Sequence, residues 1–222
     1  MKRPDWSPYI VAVLAGGPSV SSDDIFRIRY VGRVIAVNSS YKKAIWADAL
    51  YATDLKWWKF HQGAIDFPGM KICTGGKGVE TRFPDVHTFQ VPPPKDPRRP
   101  QMILDDSDYI GTGGNSGFQA LNVAIKFGAK RIMLLGFDFH LRGGTHHHGD
   151  HPSPLHNPDE PHLESWRDKL DAQAFRLNAH GISVVNCSRS SSLQNYRKLS
   201  VVDALEMWAN EDQAGLVEKP RY

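Results

Sequence analysis

Histidines are concentrated in one internal stretch of the chain. Seven of the ten fall between residues 140 and 162, and the densest run reads Gly-Gly-Thr-His-His-His-Gly-Asp-His over residues 143–151. Imidazole titrates near neutral pH, so a histidine held in a ligand cleft can take a proton from a reacting hydroxyl. The candidate bases are His146, His148, His151 and His156.

Two other interpretations of this stretch stay open. With Asp138 and Asp150, the histidines offer the side chains that bind divalent metals, although the zinc spacings H-E-x-x-H and C-x-x-C are absent. Alternatively, the stretch is a solvated polar loop in which no single histidine matters. Because residues 139–162 carry no long apolar pattern, we predict a His-rich lid loop over the ligand edge of a sheet.

A glycine turn follows the first apolar run of the chain. Residues 9–14 lead into Gly16, Gly17 and Ser19, and a second apolar run ends at Asn38. Glycines let a phosphate approach the backbone N–H groups after a strand, and a polar side chain at the neighbouring strand end can reach a ribose or base. The dinucleotide fingerprint G-x-G-x-x-G is absent. The turn therefore indicates nucleotide binding, or else a strand-to-helix turn without a ligand.

A second glycine-rich segment precedes a helical pattern. Gly114, Asn115 and Ser116 lie directly before apolar residues spaced for a helix over 118–127, which Gly128 would end. A glycine loop that leads into a helix N-terminus is a candidate anion site. Asn115 or Ser116 acting only as a helix cap is the simpler interpretation, but it does not explain the glycines before them.

Short apolar runs that alternate with helical patterns predict an α/β fold: a Rossmann-like, mainly parallel sheet with helices on both faces. Asp54 and Asp138 fall at strand ends, where open α/β sheets bind ligands. Strands are predicted at 9–14, 33–37, 49–52, 69–73, 131–135 and 182–186. Helices are predicted at 22–29, 55–61, 118–127, 163–180 and 200–208, with an irregular tail beyond Asn210.

Composition and segment lengths narrow the class of protein. We predict a single domain over 1–222 with a Pro-rich connector at 92–100. A net charge of +3 suits anionic substrates and does not argue for nucleic acid. The two cysteines form no paired motif, and no apolar run has the length of a membrane span or of a signal peptide. We therefore expect a cytoplasmic protein; a glycan acceptor and a homo-oligomer stay open.

The order of these motifs resembles two related families. The Ala-Gly-Gly-Pro-Ser turn at 15–19, Asn38, the Ser116-Gly117 pair, Phe-Asp-Phe at 137–139 and Asn-Cys-Ser at 186–188 follow the order of the bacterial sialyltransferases of glycosyltransferase family 42. The chain is also similar to the 6-hydroxymethylpterin diphosphokinase-like proteins, formerly a domain of unknown function. The resemblance extends over residues 9–195.

This resemblance implies a nucleotide bound at the strand ends. By position, Gly17, Asn38 and Ser116 would contact a cytidine nucleotide, and the base would be one of the four candidate histidines. The diphosphokinase-like group instead implies His146 with Asp138, the aspartate lying near ATP and Mg²⁺. This chain lacks the asparagine between the turn glycines and a clear match to the tyrosine pair of the sialyltransferases.

The sequence thus predicts a nucleotide-dependent transferase. We expect a glycosyltransferase that moves a sugar from a nucleotide-sugar donor to a hydroxyl acceptor, with a loop histidine as general base. The alternatives are an ATP- and Mg²⁺-dependent diphosphokinase with Asp138 as metal ligand, a metal-dependent hydrolase, and a binding or structural protein on the same fold. The predicted donor-binding residues are Gly16, Gly17, Ser19, Asn38, Asp54, Gly114, Asn115, Ser116 and Arg189.

Overall fold

Eight parallel strands form the central sheet in the computed structural model, which describes residues 2–75, 78–147, 149–150, 152–153, 155 and 157–217. Their order across the sheet is β5-β4-β3-β2-β1-β6-β7-β8, and each pairing is parallel. This confirms the predicted Rossmann-like α/β class. The strands are β1 (Ile10–Leu14), β2 (Gly32–Val37), β3 (Ala49–Tyr51), β4 (Met70–Thr74), β5 (Val86–Phe89), β6 (Arg131–Leu135), β7 (Ser183–Asn186) and β8 (Arg197–Lys198).

The strand order reverses direction beside β1. The chain builds outward from β1 to β5 on one side, then returns to place β6 against the other side of β1. Val13 in the middle of β1 lies level with Ile35 of β2 and with Leu134 of β6. Open α/β sheets leave a crevice at the carboxyl ends of the strands where the order reverses, so the fold itself locates the ligand edge at the ends of β1 and β6.

Helices cover both faces of the sheet, as predicted. Val11 and Val13 face one core with Phe118, while Ala12 and Leu14 face a second core that contains two fully buried tryptophans, Trp58 and Trp208. The helices are α1 (Ser22–Ile28), α2 (Leu55–Phe60), α3 (Val79–Arg82), α4 (Ser116–Lys126), α5 (Glu160–Asp171), α6 (Ala174–Ala179) and α7 (Val201–Val217), with 3-10 turns at Asn38–Lys42 and Gln62–Ala64.

Side-chain caps fix where the helices nearest the ligand edge begin. The Ser21 hydroxyl accepts a hydrogen bond from the Asp24 N–H, and the Asp24 carboxylate accepts one from the Ser21 N–H, which makes a capping box for α1. Asn115 accepts from the Phe118 N–H at 2.9 Å and begins α4. Both helix starts agree with the sequence prediction, so the segments that follow β1 and precede α4 are held by local chemistry.

Two predicted boundaries were wrong. The single helix over 163–180 is two helices, because Gln173 turns its amide to accept from the Met102 N–H at 3.1 Å between α5 and α6. The tail beyond Asn210 continues as α7 to Val217, and Arg131 binds Asp212 there at 2.8 Å. Two strands were missed altogether, β5 and the two-residue β8.

The two missed strands lie at the edges of the sheet. In β5 only Val86 and Phe89 are buried, and both residues of β8 are exposed, so neither presents an apolar run. Residues 92–100 contain neither helix nor strand, as their prolines indicated. None of the helices in the described part of the chain has the length and apolar character that a membrane crossing requires.

Candidate active site

A cleft of about 790 Å³ opens at the carboxyl ends of β1, β2, β3 and β6. It lies at the reversal in strand order, and the N-terminal ends of α4 and α5 complete its walls. The cleft brings together residues that are up to 151 positions apart in the sequence, Ala15 and Trp166. The predicted site residues that line it are Gly16, Gly17, Asn38, Asp54, Gly114, Asn115, Ser116, Asp138 and His146.

The turn after β1 is clamped to the end of β6. The Gly17 N–H donates to the Gly136 carbonyl at 2.9 Å. Asp138 accepts from the Ser19 N–H at 2.8 Å and from the Ser19 hydroxyl at 2.6 Å. A Cβ on Gly17 would lie 2.5 Å from both the Asp138 Cγ and the Gly136 oxygen, so only glycine permits this approach. Ser19 and Asp138 thus fix the shape of the glycine turn after β1.

Asp138 is buried, with 2% of its surface exposed. Burial raises the pKa of this carboxyl above its usual value, although the Ser19 hydrogen bonds lower it. Both carboxylate oxygens accept from Ser19, and within the described residues no three histidine, cysteine, aspartate or glutamate side chains converge as metal ligands. The described side chains around Asp138 therefore do not by themselves make a metal site.

A serine-rich segment after β7 holds the other side of this strand end. The Ser188 hydroxyl accepts from the Phe137 N–H at 2.9 Å, and the Ser191 hydroxyl donates to the Phe137 carbonyl at 2.6 Å. The Ser192 N–H donates to the Asp138 carbonyl at 2.8 Å. The hydroxyls of this segment thus support the backbone that carries Asp138.

Backbone strain marks two strand ends at the cleft. Asn38 after β2 and Phe139 after β6 both have left-handed backbones, with φ of 50° and 55°. Asparagine tolerates this conformation, but it is costly for phenylalanine. Strain of this kind persists where the surrounding structure requires the geometry. It orients Asn38 at the end of the cleft that also contains Asp54.

The N-terminus of α4 forms the wall opposite the β1 turn. The Asn115 side chain satisfies the Phe118 N–H, whereas Ser116 and Gly117 belong to the first turn, whose N–H groups have no partner within the helix. Gly114, with φ of 87°, lies beside α5: a Cβ there would be 3.0 Å from the Trp166 Nε1 and 3.4 Å from the Lys169 Nζ. These amides, the helix dipole and the nearby ammonium make this wall suitable for an anion.

His146 is the candidate base that the structure places in the cleft. Its ring lies against Gly16: a Cβ built on Gly16 would be 2.9 Å from the His146 Nδ1. The next residue, His147, donates its backbone N–H to the Gly16 carbonyl at 2.7 Å. His148, His151 and His156 lie outside the described residues.

Sequence analysis missed several residues that line the cleft. His140 lies there with its Nε2 at 2.8 Å from the Ser190 hydroxyl, and His162 and Trp166 project from α5. Asp159 caps α5 by accepting from the His162 N–H at 3.0 Å. An aspartate directly before a helical pattern is a helix-capping signal that the sequence shows. Only the fold shows that the N-terminus of α5 lines the same cleft as the β1 turn.

Arg189 lies apart from the cleft. Its guanidinium donates to Asp24 at 2.8 Å and to the Ser21 hydroxyl at 3.1 Å, at the start of α1. Burial raises the pKa of Asp24, but the bonds from Arg189 and Ser21 outweigh it and lower the pKa below its usual value. The structure thus ties Arg189 to the α1 cap and does not bring it to the lining residues.

Arg189→Ala should therefore leave nucleotide affinity within about twofold of the wild type, because the guanidinium is bound to the buried Asp24 carboxylate at the α1 cap and does not line the cleft. Titration calorimetry with the best-binding nucleotide checks this. Lys169→Ala is the matched comparison, since that ammonium lies beside Gly114. A larger loss of affinity in Arg189→Ala than in Lys169→Ala would return Arg189 to the binding site.

Comparison with known proteins gives one structural match. No family model and no curated protein matches the chain. The fold resembles that of a known glycosyltransferase. The MAf glycosyltransferase from Magnetospirillum magneticum AMB-1 superposes with a TM-score of 0.58 at 14% sequence identity. The match covers 96% of this chain and 38% of the MAf chain, so this chain spans well under half of the length of MAf. At this identity, the likeness to MAf shows the fold alone.

Proposed function

We infer that this chain is a nucleotide-sugar-dependent glycosyltransferase that transfers a sugar to a hydroxyl acceptor. One observation carries the inference: the glycine turn after β1, the N-terminus of α4 and the imidazole of His146 line a single cleft where the strand order reverses. The likeness of the fold to a protein named a glycosyltransferase supports the same class.

The donor phosphates would lie between Gly16–Gly17 and the first turn of α4. No lysine or arginine is among the described residues that line the cleft, so backbone N–H groups and the helix dipole must carry most of the phosphate binding. The Lys169 ammonium, 3.4 Å from where a Cβ on Gly114 would lie, is placed to help. Asn38 and Asp54 lie at the adjoining strand ends, in position for the nucleoside.

His146 would act as the general base. Its imidazole takes the proton of the acceptor hydroxyl as that oxygen forms a bond to the anomeric carbon of the donor sugar. The bond from this carbon to the phosphate oxygen breaks, and the nucleotide phosphate leaves with the electron pair. The N–H groups of the first turn of α4, which have no partner within the helix, would stabilise the charge that develops on the phosphate. The step needs no redox partner.

A thermal-shift panel with CMP, CDP, UDP, GDP, ADP, ATP and CMP-sialic acid, each with and without Mg²⁺, tests the proposal. A ligand that binds only the folded state raises the melting temperature. At a concentration of 100 times its Kd, it adds about 2.7 kcal/mol to the free energy of unfolding. We expect stabilisation by one nucleotide or nucleotide sugar without Mg²⁺. Stabilisation by ATP only with Mg²⁺ would support the diphosphokinase alternative instead, and no shift with any ligand would refute nucleotide binding.

A further inference from the structure

The histidine loop is fastened to the sheet by the residue that follows His146. The His147 N–H donates to the Gly16 carbonyl at 2.7 Å, while the His146 ring lies against the same glycine. Two consecutive residues therefore contact one glycine, the first through its ring and the second through its backbone. Any movement of His147 away from Gly16 must also move His146.

Two further contacts connect His147 to the 3-10 turn after β2. The His147 Nε2 lies 3.2 Å from the hydroxyl of Ser40, which is fully buried, and the Lys43 ammonium donates to the His147 carbonyl at 3.1 Å. His147 thus bridges the ends of β1 and β2. Neither His147 nor its two partners near this turn lines the cleft, so their effect on a bound ligand must pass through the adjoining lining residues, Gly16 and His146.

Packing elsewhere in the loop is sparse. Nothing lies within 4 Å of where a side chain would begin on Gly144 or on Gly149, and Gly143 only approaches Pro18 at 3.8 Å. Thr145 and Asp150 hydrogen-bond to each other within the loop. Among the described residues, the contacts of His147 with Gly16, Ser40 and Lys43 attach residues 143–150 to the sheet.

We propose that His147 is a positioning residue that docks this loop on Gly16 and Ser40 and so holds His146 at the cleft. The role of His146 as a base rests on the proposed function, but the docking itself does not. It depends on a serine hydroxyl that does not line the cleft, which makes the docking separable from ligand binding. Ser40→Ala removes that hydroxyl and leaves each lining residue intact.

Ser39→Ala is a matched control. Ser39 is a buried serine in the same 3-10 turn, and its hydroxyl lies 3.3 Å from the His61 Nε2 and accepts from the Trp57 Nε1 at 3.4 Å. The control therefore removes a serine–histidine contact of the same kind that does not reach the loop. If both variants lose the same stability, the loss arises from the 3-10 turn and not from the contact with the loop.

Two measurements on the unliganded protein test the docking. Hydrogen exchange at the His147 amide should speed up about three- to tenfold in Ser40→Ala, as expected for loss of one hydrogen bond, and less than twofold in Ser39→Ala. The Cε1–H NMR resonance of His146, assigned by its absence in His146→Gln, should move in Ser40→Ala and stay in place in Ser39→Ala.

Equal exchange in the two variants, or an unmoved His146 resonance in Ser40→Ala, would overturn the proposal. Nucleotide binding is measured separately on the wild type. If the wild type binds no nucleotide, the proposed function is refuted. The two measurements on the loop would still test whether His147 docks it. With an active donor, Ser40→Ala should lower kcat by about three- to tenfold while the donor KM stays within twofold.

Discussion

Replacing His146 with glutamine should lower kcat for sugar transfer by about 10²–10⁴-fold while the donor KM stays within about threefold. Glutamine keeps a polar side chain in the cleft but cannot accept the acceptor's proton at neutral pH. The loss belongs to the transition state, because nothing that binds the donor phosphate is removed. Steady-state kinetics with the nucleotide sugar identified by thermal shift gives both constants.

The pH profile separates a base from a side chain that only fills space. A general base must be deprotonated, so wild-type kcat should fall as the pH drops through the imidazole range, near 6.5 for an ordinary histidine. In His146→Gln this acidic limb should disappear. If the variant keeps more than about a tenth of the wild-type kcat, the base is another histidine of the loop.

Two control histidines make that result specific. His180 hydrogen-bonds to the Arg176 carbonyl at 2.8 Å outside the cleft, and His180→Gln should leave kcat unchanged. His162 lines the cleft but is bound to Asp159, so His162→Gln tests whether a histidine in the cleft is sufficient. A loss in His162→Gln equal to that in His146→Gln would contradict the assignment of the base to His146.

Elements whose signals are local could be predicted from the sequence. The apolar run of β1, the Asn115 cap of α4 and the strand ends that carry Asn38 and Asp138 follow from propensity, capping and periodicity within a few residues. The reversal of strand order follows from which strands pair, and it brings Gly16 and Asp138 together although 122 positions separate them. The resemblance in motif order implied a nucleotide at the strand ends, but it did not predict which strands pair.

Partners in long-range contacts could not be predicted from the sequence. Arg189 follows a strand end, as a phosphate ligand would, but its guanidinium binds Asp24, 165 positions away. Asp138 has the position of a catalytic carboxylate, yet both of its oxygens accept from Ser19. In each case the sequence shows the residue type and its place after a strand. The side chain that it binds instead of a ligand is determined by packing between distant segments.

Alanine at Gly17 should destabilise the protein, whereas alanine at the adjacent Gly16 should not. A Cβ on Gly17 would meet a backbone carbonyl and the buried Asp138 carboxylate at 2.5 Å, and neither can yield without breaking the clamp. We expect a cost of about 3 kcal/mol, the upper end for overpacking, and a Tm lower by about 6–12 °C. The entropy that alanine removes from the unfolded chain, about 0.4–1 kcal/mol, is too small to offset this.

Gly16→Ala should separate stability from catalysis. There the Cβ meets only the His146 ring, at 2.9 Å, with the next atoms at 3.7 Å, and a ring on a loop can swing aside. The Tm should stay within about 2 °C of the wild type, but kcat should fall at least tenfold, because a shift of about 1 Å in a catalytic group can lower the rate 10²-fold.

A wild-type Tm in Gly17→Ala would contradict the clamp between the β1 turn and Asp138. Full turnover in Gly16→Ala, together with an inactive His146→Gln, would show that His146 acts from a position away from Gly16. The added methyl group at residue 16 would then not have displaced the catalytic imidazole.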